Sequence, residues 1–431
     1  MAGMTLYRGL MGLSAPLINL YMKRRLANGK EDPDRISERR GIASRPRPDG
    51  PLAWVHAASV GEAQSALSLI TKMLRARIDL HILITTGTVT SAKLLSERLP
   101  PRSFHQFVPV DHRRWVRRFL DHWEPNLAVW IESEFWPNLI AETAERNIPT
   151  VLANGRISKQ SAANWRFVPG FIGDIVGEFK LSLTQTEEEA DRFRKLGADP
   201  VKCVGNLKYS AATLPVEEEA LTKITSAIGD RPRWVAASTH PGEEKLALEA
   251  HKLMQERFSD LLTIIVPRHP SRGASIAKDI EAQGLRVSRR TINEEIGPED
   301  NIHIADTLGE LGLFYRLAEI AFIGGTMKAY GGHNPLEAAQ LDCAILHGPD
   351  MANFATVSQQ LAAAGATTEI SDAETLAAAV THFLEDNQER QTAMEAAAEV
   401  ARSNATVVNH VLEELKPFLD ALPEGNSDAH P

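Results

Sequence analysis

From residue 51 onward the chain alternates short apolar runs with stretches of helical periodicity. The runs 52–57, 80–85, 127–131, 150–153 and 181–184 read as strands, and 62–77, 88–98 and 135–147 read as helices. Strand–helix alternation predicts a parallel sheet covered on both faces. Residues 205–233 break the rhythm with Gly205-Asn206, an acidic helix near 216–228 and Gly229-Asp230-Arg231-Pro232, which reads as a connection between domains. The alternation then restarts. Strands at 234–238, 262–267, 319–323 and 343–346 are followed by helices from about 242, from about 272 and over 335–341, and 373–418 is Ala- and Glu-rich and helical. The expected class is therefore α/β, with two Rossmann-like domains whose parallel sheets face a cleft and bind ligands at the carboxyl ends of their strands. The expected boundaries are an apolar and basic segment at 1–50, a first domain at 51–215, a second at 216–420 and a polar tail at 421–431.

Composition narrows the class. The 431 residues are 43% hydrophobic and 24% charged, which excludes a disordered chain, a collagen-like fibre and a polytopic membrane protein. Two cysteines, Cys203 and Cys343, are too few for a disulfide framework or a cysteine zinc site. The net charge of −9 argues against a nucleic-acid partner held by bulk charge, yet residues 1–50 carry +5 and leave −14 for the remainder. Within that basic end, 9–22 is uncharged, preceded by Arg8 and followed by Lys23-Arg24-Arg25. Fourteen residues fall short of the roughly 20 that cross a bilayer. No small-residue cleavage site follows, so the segment reads as an apolar anchor or interfacial helix with its basic cluster on the cytoplasmic side. The alternative is a helix packed on the protein's own core.

The residues that can carry chemistry cluster at predicted strand ends. Ser59-Val-Gly-Glu62 follows the first strand; it is a capping box, or it holds a carboxylate available as a general base. Glu132-Ser-Glu134 ends the strand 127–131, where paired acids suit developing positive charge, although a helix N-terminus also attracts acids. Lys208 lies directly after another strand. Pro267-Arg268-His269-Pro270 offers a rigid cation suited to phosphate. Thr307-Leu308-Gly309-Glu310 is one more capping pattern. Gly324 to Glu337 packs four glycines between 324 and 332, then enters a helix with Asn334 at the cap and Pro335 in the first turn. That context favours phosphate, though Asn334-x-x-Glu337 is also helix grammar. Arg113, Arg114, Arg117 and Arg118 form a basic cluster at helical spacing.

Taken together, the chain resembles the 3-deoxy-D-manno-octulosonic acid (Kdo) transferases of lipopolysaccharide assembly. The motifs that carry the resemblance run through nearly the whole chain: Gly29-Lys30-Glu31-Asp32-Pro33, Glu38-Arg39-Arg40-Gly41, Trp54-x-His56-x-x-Ser59-Val60-Gly61-Glu62, Glu132-x-Glu134-Phe135-Trp136-Pro137-Asn138, Gly205-Asn206-Leu207-Lys208, Pro267-Arg268-His269-Pro270, Asp306-Thr307-Leu308-Gly309-Glu310-Leu311 and Gly331-Gly332-His333-Asn334-Pro335-Leu336-Glu337. The resemblance implies a GT-B glycosyltransferase that moves Kdo from CMP-Kdo to lipid IVA, the lipid A precursor, with inversion and without a metal or other cofactor. It implies Glu62 as general base, with Glu132 (or Glu134) and Lys208 supporting the transition state. It further implies a CMP site built from Arg268, His269, Leu308, Gly309, Glu310, Asn334, Pro335, Leu336 and Glu337, the glycine turn and helix N-terminus holding the phosphate. The location implied is the cytoplasmic face of the inner membrane, with the basic N-terminal face, and the Arg113–Arg118 cluster as a second candidate, meeting lipid phosphates. Two rivals stand beside this reading. One is another enzyme on the same architecture, a nucleotide-sugar 2-epimerase or a UDP-sugar transferase; the other is a membrane-attached nucleotide-binding protein without catalysis, in which Glu62 is only a cap.

Overall fold

The computed structural model describes residues 2–158, 161, 169–209, 213–292 and 294–425. The chain divides into two units, Met1–Ala211 with Asn404–Pro431, and Ala212–Ser403.

The first unit is built on a seven-stranded sheet of β1 (Leu52–His56), β2 (His81–Thr86), β3 (Ser103–Phe107), β4 (Leu127–Ile131), β5 (Thr150–Gly155), β6 (Leu181–Thr184) and β7 (Val201–Cys203). The strands are parallel throughout and lie in the order β3-β2-β1-β4-β5-β6-β7. Every residue of β1 and β4 is buried, as the unbroken apolar runs require of strands covered on both faces. The helix Val60–Ala76 covers one face with Ala63, Ala66, Leu69, Ile70, Met73 and Leu74, the i, i+3, i+4 stripe of an amphipathic helix. Full burial of one such leucine contributes about 1.5–3 kcal/mol. After β1, β2 and β3 the chain returns to lay β4 on the other side of β1, so the strand order reverses between β1 and β4.

The second unit repeats the plan with β8 (Arg233–Thr239), β9 (Leu262–Pro267), β10 (Val287–Arg289), β11 (Ile302–Ile304), β12 (Ile320–Ile323), β13 (Ala344–His347) and β14 (Thr367–Glu369). Its order is β10-β11-β9-β8-β12-β13-β14, again all parallel, and the reversal falls between β8 and β12. Trp234, Ile265, Phe322 and Leu346 lie in its core.

Two expectations change. The second domain does not run to residue 420. The chain re-enters the first unit at Asn404, because the helix Val407–Asp420 buries Val407, Val408, Val411, Leu415 and Leu419 in the same core as Leu69 and Met73. The tail, from residue 426, lies outside the described residues. The apolar segment 9–22 is not one helix either. It is divided at Ser14 between Ala2–Leu13 and Ala15–Ala27; Pro16 lacks an N–H to continue a helix and sits in the first turn of the second, while the Ser14 hydroxyl donates to the Met11 carbonyl at 2.7 Å. Among the described residues no helix is long and apolar enough to cross a membrane. Leu6, Leu10, Leu13, Leu17, Leu20 and Tyr21 are nonetheless exposed on these two helices, and Tyr7 ties the first to the unit by donating to Asp111 at 2.8 Å.

Candidate active site

In the first unit the reversal point is flanked by Glu62, on the helix after β1, and Glu132, directly after β4. Such reversals open a crevice at the carboxyl ends of the strands. Here the cavity holds about 720 Å³ and is lined by Ser59, Glu62, Thr88, Glu132, Glu134 and Arg156, among others.

The cap that Ser59-x-x-Glu62 predicts is formed, and the same contacts hold the Glu62 carboxylate. The Ser59 oxygen accepts from the Glu62 N–H at 3.3 Å, and its hydroxyl donates back to Glu62 Oε1 at 2.8 Å. Glu62 Oε2 accepts from the Ala58 N–H at 2.7 Å. The cap therefore fixes the carboxylate at the cavity wall. Glu62 is pushed above the ordinary carboxylate range, first by desolvation and then by the Glu132 charge, against the pull of Ser59, Ala58 and Lys208.

Glu132 leaves β4 in a left-handed conformation (φ 60°), which turns its side chain out of the sheet plane and into an ion pair with Lys208 at 2.7 Å. Lys208 is placed by the ends of three strands. Asn154, on β5 and also left-handed (φ 59°), accepts from the Leu207 N–H at 2.9 Å. Gln185, just past β6, accepts from the Asn206 amide at 3.0 Å, and Asn206 accepts from the Lys208 N–H at 3.0 Å. Glu134 is exposed by area, yet it too is pushed upward, by desolvation first and by Glu62 second. His56 is a core histidine: its Nδ1 meets Thr85 Oγ1 at 3.0 Å, and burial pulls it down to about 3, so the ring is neutral.

The second unit gathers a different set at its own reversal point. His240, after β8, shares a 2.9 Å contact between its Nε2 and that of His333. It stacks on Tyr330 at 4.1 Å and meets His269 edge-on at 6.1 Å. Burial first, then Arg268 and the other histidines, pull His333 down to about 4. Exposed Arg268, anchored by its N–H on the Thr239 carbonyl at 3.0 Å, is the cation of the group. Glu337 is pushed upward by burial, against the opposing effects of Asn334 and Arg268. Asn334 caps its short helix by accepting from the Leu336 N–H at 3.2 Å.

Two expected donor-site features are otherwise occupied. Glu310 pairs with Arg290 at 2.6 Å and accepts from Thr307, so its carboxylate is engaged, although Leu308 beside it is exposed. The first half of the glycine stretch is not a free anion cradle. Buried Glu243 fills it: Oε2 accepts from the N–H groups of His240 and Gly325, both at 2.8 Å, and Oε1 from those of Thr326 at 3.0 Å and Met327 at 3.1 Å. Asp350 takes the Gly331 N–H at 2.7 Å. The turn attracts an anion as its glycines predict, and the protein's own carboxylate is that anion. Glu243, His240 and Tyr330 were not among the sequence candidates. The signal for His240 and Glu243 was the Thr239-His240-Pro241-Gly242-Glu243 step from strand to helix, which follows the same strand-end rule as Glu62; Tyr330 lies within the glycine stretch itself. Among the described residues no group of three or more His, Cys, Asp or Glu is arranged to hold a metal ion.

In the Arg113–Arg118 cluster, Arg113 and Arg117, about one helical turn apart, are both bound by buried Glu142, at 2.5 and 2.8 Å; Glu142 also takes Arg146 at 3.0 Å, so their charge is only partly offset. All four arginines line a groove of about 810 Å³ together with Arg8, which is itself paired with Glu145 at 2.6 Å.

The family profile described as 3-deoxy-D-manno-octulosonic-acid transferase (kdotransferase) matches residues 34–211. A 3-deoxy-D-manno-octulosonic acid transferase of Rickettsia felis is 37% identical over 85% of this chain and 79% of its own length. One from Haemophilus influenzae is 32% identical over 96% of this chain and 98% of its own. Among solved structures, the UDP-GlcNAc 2-epimerase of Neisseria meningitidis superposes with a TM-score of 0.59 over 85% of this chain and all of its own, at 12% identity, a likeness of fold alone.

Proposed function

This chain belongs to the 3-deoxy-D-manno-octulosonic acid transferase family, and on that premise we propose that it transfers Kdo from CMP-Kdo to lipid IVA with inversion, Glu62 acting as the general base. The observation that carries the proposal is the flanking of the first unit's reversal point by Glu62 and by the Glu132–Lys208 ion pair, in a cavity large enough for a sugar. Glu62 takes the proton of the acceptor hydroxyl as that oxygen bonds to C2 of Kdo. The bond from C2 to the phosphate oxygen breaks on the opposite face, and CMP leaves with the electron pair. A phosphate leaving group needs its charge met more than it needs a proton, so one catalytic carboxylate suffices. Glu132 faces the positive charge that develops on the sugar ring, and Lys208 holds Glu132 in place.

The second unit would hold the donor. Arg268 meets the phosphate, with His269 beside it; Glu337, capped by Asn334, accepts from ribose hydroxyls; Leu308 and Gly309 border the base, and Glu310 shapes that turn through Arg290. The working location is the cytoplasmic face of the inner membrane. The exposed leucines of the two N-terminal helices would lie in the interface, and Lys23-Arg24-Arg25 with the Arg8–Arg114–Arg118 groove would meet lipid phosphates.

Glu62→Gln tests the central role. The amide keeps the cap's shape and cannot take a proton, so transfer should fall by about 10²–10⁴-fold while CMP still binds, as calorimetry would read. Near-normal turnover in that variant would remove the base assignment.

A further inference from the structure

Arg39 is buried at 6% exposure, and its guanidinium makes four hydrogen bonds. Nε and Nη2 donate to the two oxygens of buried Glu31 at 2.9 and 3.3 Å. Nη1 donates to the Val108 carbonyl at 3.1 Å and Nη2 to the Gly87 carbonyl at 2.5 Å. Those two carbonyls stand one residue beyond the ends of β3 and β2, where the sheet ladder has run out. From Gly87 the contacts lead to the catalytic carboxylate. The Gly87 N–H donates to the Ala58 carbonyl at 3.0 Å, and the Ala58 N–H donates to Glu62 Oε2 at 2.7 Å. A Cβ at Gly87 would stand 3.1 Å from the Ala58 oxygen, closer than ordinary van der Waals contact. Thr88, the next residue, lines the cavity with Glu62. Arg39 thus grips the strand-end loop against which the Ala58–Glu62 turn is set.

We propose that Arg39 is a positioning residue for the Glu62 carboxylate, acting through Gly87 and Ala58. The proposal rests on Glu62 being the general base. A clamp that merely fastened the 31–40 segment to the sheet would affect folding alone; a positioning residue affects the base as well. Lysine at 39 cannot reproduce the fork that reaches Glu31 and both carbonyls. Alanine at 87 keeps the Arg39 side chain and pushes directly on Ala58, so it tests the last link of the chain.

The experiment is Kdo transfer by full-length Arg39→Lys and Gly87→Ala across pH, with thermal melts of both. The groups facing Glu62 from the surrounding elements, Glu132, Glu134, Lys208 and Arg156, are kept in both variants, and lysine keeps the positive charge that Arg39 presents to Glu134. The Ala58 N–H favours the ionised carboxylate, so weakening it raises the pH at which the base loses activity. The expected result is a kcat about tenfold lower in each variant, KM for the donor unchanged, and an acid limb moved upward by about half to one pH unit. An unmoved limb, or a loss that only tracks the folded fraction, overturns the proposal; if Arg39→Lys does not fold, Glu31→Gln, which loosens the same fork, decides it. An active Glu62→Gln would instead overturn the base assignment, whereas an inactive Glu62→Gln with unmoved limbs in the other two would remove only the role of Arg39.

Discussion

At the scale of single residues, this chain uses one carboxylate for two purposes twice over. Glu62 is a helix cap whose free reach is into a cavity, and Glu243 is a helix-start acid whose whole reach is inward. Their sequence contexts are nearly alike, a strand end followed by a helix opening, and local pattern cannot separate them. The difference arises from what the glycine turn 324–327, about eighty residues later, brings against Glu243. Glu243→Gln should therefore act on stability: an amide presents N–H groups to backbone N–H groups, and the second unit should lose about 2–4 kcal/mol in denaturant unfolding. A loss below about 0.5 kcal/mol would mean that the turn finds other acceptors. Lys208 was legible as a residue and not as a partner, because its ion pair with Glu132 depends on two left-handed residues, Glu132 and Asn154, at positions where glycine would have been the sequence signal.

At the scale of elements, the strands with apolar runs were legible almost to the residue, as in β4 and β9, because burial on both faces leaves little polar alternation to confuse them. The short edge strands were not. β7, β10 and β14 have three residues each and carry polar side chains, so nothing in their sequence marks them before a neighbour pairs with them. The helix Val407–Asp420 was legible as a helix but not as a part of the first unit, since its apolar stripe fits any core. The N-terminal pair of helices differs from all of these in exposing its leucines. Each leucine inserted into an interface contributes up to about 1.5–3 kcal/mol, and the flanking basic residues add attraction to anionic lipid. The protein should float with vesicles containing anionic lipid. Leu10→Asp with Leu17→Asp should leave it in the soluble fraction with its fold intact by circular dichroism. Failure of the parent chain to float would refute the membrane-surface reading.

At the scale of the whole molecule, the same doubly wound sheet occurs twice, and each copy presents its chemistry at its own reversal point. The first offers carboxylates, Lys208 and Arg156; the second offers Arg268, a neutral His333 and a partly buried Glu337. That division suits a reaction in which one partner must lose a proton and the other carries a phosphate as leaving group. Membership of the Kdo transferase family fixes the sugar that moves; the donor, the acceptor and the base are what the proposal adds. The most direct measurement incubates the purified chain with lipid IVA and CMP-Kdo generated in place, and reads the lipid by mass spectrometry. The account predicts increments of one or more Kdo units on lipid IVA with matching release of CMP. A lipid of unchanged mass with no CMP released, under conditions in which an established Kdo transferase modifies it, would contradict the account.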